Sequence, residues 1–282
     1  MRLRYLIIIG WIAVLSAYNT APAQLAIDSK GTDFWLTFMP NFHQAANYDS
    51  LYIFIAASTP TQGEITYRNR QGANFQQNFS ITDTNQIYKF NIAWPGFELE
   101  GFNRSGLFIN NSQNETIANQ SFHITSENEV TVYALSQAIK TSDAFLTLPT
   151  DALGTNYYVM SYSSDGTIVG KSSISTQSTP SQCAVVATDS NTVIHIIPSV
   201  PTVIGGIEPR DITLQKGEVY LLQAAITPVN LRGDLTGTNI TSNKPIAVFS
   251  GHQRSKIPLQ NAVDLTSRDF LCEEIPPVTT WG

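Results

Sequence analysis

The chain has 282 residues, a formal net charge of −6 and 13% charged residues, against about 25% in an ordinary globular chain. With no basic run, it is ill suited to nucleic acid or to anionic membrane surfaces. An apolar content of 42%, rich in Tyr and Phe, speaks against disorder.

The chain opens with Arg2 and Arg4, an apolar run from Leu6 to Ala17, and Ala21-Pro22-Ala23. This is the three-part layout of a secretory signal peptide. Residues 1–23 are therefore expected to be removed, with mature protein starting near Gln24. A bilayer-spanning helix needs about 20 apolar residues, more than this run supplies. No later stretch is apolar enough to span. The mature chain is expected to be secreted or at the cell surface, without membrane insertion.

From Phe34 onward the pattern has period 2. Phe34, Leu36 and Phe38 share one strand face, and Trp35 and Thr37 the other. Leu51 to Ala57 is an apolar run suited to a buried strand. Gly63 to Tyr67, Ile87 to Ile92, Phe122 to Thr125, Val130 to Leu135 and Ala144 to Leu148 continue the series. Tyr157 to Tyr162, Cys183 to Ala187, Thr192 to Ile197, Asp211 to Leu214, Val219 to Gln223, Asn239 to Thr241 and Ile246 to Phe249 complete it. Polar segments such as Ser126-Glu127-Asn128-Glu129 read as turns between strands. Many short strands rich in β-branched and aromatic residues, with no long amphipathic helix, predict an all-β sandwich or barrel.

The pattern also recurs. Gly31-Thr32-Asp33-Phe34-Trp35-Leu36 matches Gly154-Thr155-Asn156-Tyr157-Tyr158-Val159, and Ile124 through Ala134 matches Ile240 through Ser250. Leu148-Pro149-Thr150 matches Ile275-Pro276-Pro277 in the same order. Residues 31–153 and 154–282 are therefore expected to form two tandem β-sandwich-like units. The second lacks its continuation, Gly282 falling where a further copy would start. Each unit is near the size of an immunoglobulin-like sandwich of about 100 residues.

Chemistry-bearing residues are sparse. His43, His123, His195 and His252 lie far apart and form no zinc-ligand pair. Ser250-Gly251-His252 follows a strand but lacks the G-x-S-x-G elbow; a strand-ending turn is the expectation. Asp264, Asp269, Glu273 and Glu274 fit no calcium loop. Sequons at Asn78, Asn103, Asn110, Asn114, Asn119 and Asn239 cluster within Asn103 to Ser121, marking an exposed polar loop. Cys183 and Cys272 could pair in an exported protein or remain as buried thiols.

The segment Gly237 through His252 resembles a signature of the IgGFc-binding protein N-terminal domain family. Gly31 to Trp35, Leu148-Pro149 through Tyr157, and Ile275-Pro276-Pro277-Val278 to Trp281-Gly282 agree with it. The resemblance implies an extracellular region of a large mucus or cell-surface protein. It implies no catalytic residues. Where relatives carry two cysteines, after Gly-His and before the Ile-Pro-Pro stretch, this chain has Arg254 and Arg268, which implies that their disulfide is absent.

The expected function is an extracellular binding or adhesion module within a larger protein, with no catalysis, no cofactor and no metal. Its partner is expected to be an extracellular protein or glycan. The candidate site is Gly251, His252, Gln253 and Arg254, where the second copy departs from the first; Arg254 offers a planar donor fork for acidic groups. The alternatives are a structural spacer and a polymer hydrolase, the latter requiring two carboxylates about 5–10 Å apart if it cleaves glycosides.

Overall fold

The structure, a computed structural model, describes residues 28–43, 49–101, 112–259 and 267–281; the expected signal peptide, Asn103, Asn110, Asp264 and Gly282 lie outside them. Alternation dictates the strands. In β2 (Ser50–Ala57), Leu51, Ile53, Ile55 and Ala57 are buried, while Tyr52 and Phe54 face outward and are half-buried.

The organiser of the first half is β7 (Phe122–Ala138), which serves two layers. Its first part pairs with β3 (Thr61–Arg68) on one side and β1 (Gly31–Leu36) on the other. Its second part pairs with β2 and with β8 (Thr141–Thr147). The outer strands are β4 (Asn74–Ile81) beside β3 and β5 (Tyr88–Ala93) beside β2. The register shift against β1 falls at Ser126–Glu129. Those residues are thus a bulge inside one strand rather than a turn between two, because β7 changes neighbours there.

Every one of these pairings has a counterpart in the second half. There the long strand is β16 (Asn239–Ser255). It pairs with β13 (Thr192–Ile197) and β9 (Gly154–Tyr158), then with β12 (Ser181–Ala187) and β17 (Asp269–Glu274). The outer strands are β14 (Arg210–Leu214) and β15 (Val219–Gln223). Two-residue strands β6 (Ile117–Ala118), β10 (Ile168–Val169) and β11 (Ser173–Ile174) complete the set. Equivalent close approaches also recur: a Cβ on Gly31 would lie 2.4 Å from Pro149, and one on Gly154 would lie 2.6 Å from Pro277.

One of the two hydrophobic cores is shared by both sandwich-like units. Strands β12 and β15 are buried on both faces. Cys183, Val185 and Leu222 face the interior of the second sandwich. Ala184, Val186, Leu221 and Phe249 join the core of the first. The Phe249 ring meets Phe145 of β8 edge-on at 5.5 Å. Cys183 and Cys272 are both free and buried, and they belong to opposite faces of this sheet.

The seam is closed by polar groups as well. Edge strands β8 and β17 cap each other's amides through side chains. Thr141 Oγ1 accepts from Phe270 N at 2.6 Å and Asp143 Oδ2 from Cys272 N at 3.0 Å. In return, Asp269 Oδ1 accepts from Ser142 N at 2.8 Å and Glu274 Oε2 from Leu148 N at 2.9 Å. Strand β6, from the first half, adds to β15 of the second. Glu115 just before it accepts from Ile204 N and Gly205 N and pairs with Arg210 at 2.8 Å. Within the described part of the expected exposed loop, residues 112–121, the expectation is corrected for Gln113, Asn114 and Gln120, which are buried because this stretch reaches across the seam; Ser112, Thr116 and Ile117 are exposed.

Candidate binding surfaces

The structure places the sequence-predicted patch inside a strand. Gly251, His252 and Gln253 are buried in β16, which runs on to Ser255, so no turn follows Ser250. The close approach of β17 explains Gly251, since a Cβ there would lie 1.9 Å from the Leu271 carbonyl oxygen. Burial, helped by the Arg268 charge, pushes the His252 pKa down to about 3, and its neutral Nδ1 accepts from Arg254 N at 2.9 Å. Gln253 donates to Asn41 O at 3.4 Å. Arg254 alone of the four reaches partial exposure. Its guanidinium lies 4.2 Å from the Phe42 ring centroid, and its Nε has no hydrogen-bond partner among the described residues.

Behind the patch is a polar node that nothing in the sequence announced. His43 Nδ1 lies 2.6 Å from Asp49 Oδ2 and Nε2 lies 2.8 Å from Glu98 Oε1, all buried. The ring stacks on Trp94 at 3.8 Å. Burial alone would lower the His43 pKa; the carboxylates, Glu98 foremost, outweigh it and hold the pKa above its ordinary value. Asn41 ties the node to the seam, its amide N donating to Glu98 and its side chain to Ser136. A chain of amides continues across: Asn114 to Gln223, Gln223 to Gln182, and Gln182 to Pro40 O at 3.0 Å.

The other histidines are also held in pairs. His123 bonds Asp33 at 2.8 Å and stacks on Trp35 at 4.0 Å. His195 bonds Asp211 at 2.6 Å. Among the described residues no group of three or more His, Cys, Asp or Glu is placed to hold a metal ion, and no helix is long and apolar enough to cross a membrane.

The exposed apolar surface lies elsewhere. On the outer face of β5, β2 and β7, Tyr52 and Phe54 stack at 5.9 Å beside exposed Tyr133, and Lys89 Nζ lies 4.4 Å from the Tyr52 ring. At the far side of the second sandwich, Tyr158, Met160 and Trp281 are exposed.

The model of the IgGFc binding protein family matches residues 143–282. Residues 143–282 are thus similar to an IgGFc binding protein domain. The match begins within β8 and takes in the whole second sandwich, so the matched stretch includes both β8 and β17 of the capped seam. Human IgGFc-binding protein is 27% identical over 164 residues, which are 56% of this chain and 3% of that protein; the chain thus spans a small fraction of its relative. The N-terminal CBM22-1-CBM22-2 tandem domain from Paenibacillus barcinonensis Xyn10C aligns with 83% of this chain and 79% of its own at 10% identity. Its TM-score of 0.15 makes that likeness uninformative about the fold.

Proposed function

We propose that the chain is an extracellular binding or adhesion module of a larger secreted or surface protein, recognising a protein or glycan without turning it over. The similarity of residues 143–282 to an IgGFc binding protein domain carries this reading. The placement of the histidines supports it, because His43 and His252 are enclosed and His123 and His195 are tied to single aspartates. Rigid sheets presenting exposed side chains are a common recognition frame in β-sandwiches.

Within the patch Gly251 to Arg254, Arg254 is the residue able to meet a ligand, and a fork donor suits a carboxylate or acidic sugar. The test is an array of acidic and neutral glycans together with immunoglobulin Fc, probed with the mature chain and with Arg254→Ala. The expected result is binding without product release, weakened about tenfold or more in the variant, as for loss of a charge-assisted hydrogen bond. Equal binding by the two proteins removes Arg254 from the site, and hydrolysis of an arrayed polymer overturns the reading. A spacer role is the second reading, favoured by the seam, where β6 and the buried amides fix one sandwich on the other.

A further inference from the structure

Among the outer strands β4, β5, β14 and β15, three are guarded against pairing with another chain. Strand β15 is covered by β6. Strand β14 carries Arg210 and Asp211 and follows Pro209, and β5 carries exposed Lys89. Charge, proline and cover are the ordinary protections of a sheet edge. Strand β4 has none of them. From Asn74 to Ile81 it reads Asn-Phe-Gln-Gln-Asn-Phe-Ser-Ile, without a charge or a proline. All of it pairs with β3 in unbroken register, so no bulge turns the edge away. Its side-chain bonds stay within the strand or go back to β3: Gln76 to Glu64 at 2.5 Å and to Asn78 at 3.2 Å, and Gln77 to Asn78 O at 2.7 Å. Among the described residues β3 is its only strand partner.

The strand is also its own complement. An antiparallel copy registered on Gln77 sets Phe75 opposite Phe79, Gln76 opposite Asn78, Asn74 opposite Ser80, and Gln77 opposite itself. Residues directly opposite in such a pair share a face, so ring meets ring and amide meets amide. Registered on Asn78 instead, the same strands set Gln77 against Phe79 and lose the match. Phe75 is 39% exposed, stacked on Tyr67 at 5.4 Å and edge-on to Phe97 at 5.5 Å, and a second strand beside β4 covers it further.

We propose that β4 is an interface between two copies of this chain, joined edge to edge about a twofold axis at Gln77 into one continuous sheet. The outward backbone amides and carbonyls of each β4 then find partners on the other. Each copy uses up its β4 on its neighbour, so association closes at the dimer. Strand pairing alone is a small contact, and the dimer is correspondingly weak and concentration-dependent.

Sedimentation velocity on the mature chain over a wide concentration range tests this. The protein is made in a host that adds no N-glycans, so that the Asn78-Phe79-Ser80 sequon stays bare. The wild type is expected to pass from monomer to dimer as concentration rises and to stop there. Gln77→Lys and Gln77→Glu each set like charges face to face on the axis and weaken the dimer about tenfold or more. An equimolar mixture of the two sets opposite charges there and restores the dimer, which an unfolded variant could not do. A wild type monomeric at every concentration overturns the pairing, as do variants that dimerise like the wild type. Growth past the dimer, or a mixture that fails to recover it, overturns the twofold register on Gln77.

Discussion

His43 and His252 are buried a few side chains apart, yet their surroundings set opposite responses to pH. His43 is held charged between Asp49 and Glu98, with a raised pKa. Its contribution is fully present below its unfolded value of about 6.5 and is lost as pH rises through the folded value. His252 is held neutral, with its pKa at about 3. Its contribution is present above about 6.5 and is lost as pH falls toward about 3. Chemical denaturation at a series of pH values separates the two. His43→Gln should lose about 3–5 kcal/mol near pH 6, because two carboxylates stay buried without their cation, and should show a flatter alkaline limb. His252→Asn should flatten the acid limb instead. An unchanged pH profile in His43→Gln would place its charge outside the folding balance. None of this was legible from single residues: His43 and Glu98 are 55 positions apart, and Gly251-His252 read as a turn because the close approach of β17 leaves no mark on its own segment.

At the scale of elements, the strands that bury one face were legible by alternation, and the recurrence of their order revealed both sandwiches. Two features were not. Strand β4 has mostly exposed residues on both faces, so no apolar rhythm marks it. The polar segments Ser126–Glu129 and Ser242–Pro245 interrupt β7 and β16 without ending them, since each strand passes from one pair of neighbours to another there. In both, the serine hydroxyl bonds a carbonyl two residues on, Asn128 at 2.8 Å and Lys244 at 2.6 Å. The β8–β17 seam buries the carboxyl of Glu274. Burial pushes the Glu274 carboxyl well above the usual carboxylate range. Its favourable share is present below the unfolded value of about 4.3 and is lost as pH rises through the folded one. Glu274→Gln keeps an acceptor for Leu148 N and removes the charge. Its thermal midpoint should exceed the wild type's at pH 8, with the gap closing toward pH 4; a lower midpoint at pH 8 would show that the ionised carboxylate stabilises the seam.

For the whole molecule, the sequence does not say which faces the two sandwiches share, because an apolar run such as Cys183–Ala187 looks the same whether one neighbour or two cover it. In the structure that strand has its second face in the core of the first sandwich. The two sandwiches are therefore one body, joined through the outer face of β12, β15 and β16. Amide hydrogen exchange on the wild type and on Phe249→Ala tests that claim most directly. Truncating a fully buried Phe costs about 3–5 kcal/mol, and in a shared core this loss spreads beyond its own strand. The expected result is lost protection in Thr141–Thr147 of the first sandwich as well as in β16. Lost protection confined to the second sandwich, with Thr141–Thr147 unchanged, would contradict a shared core.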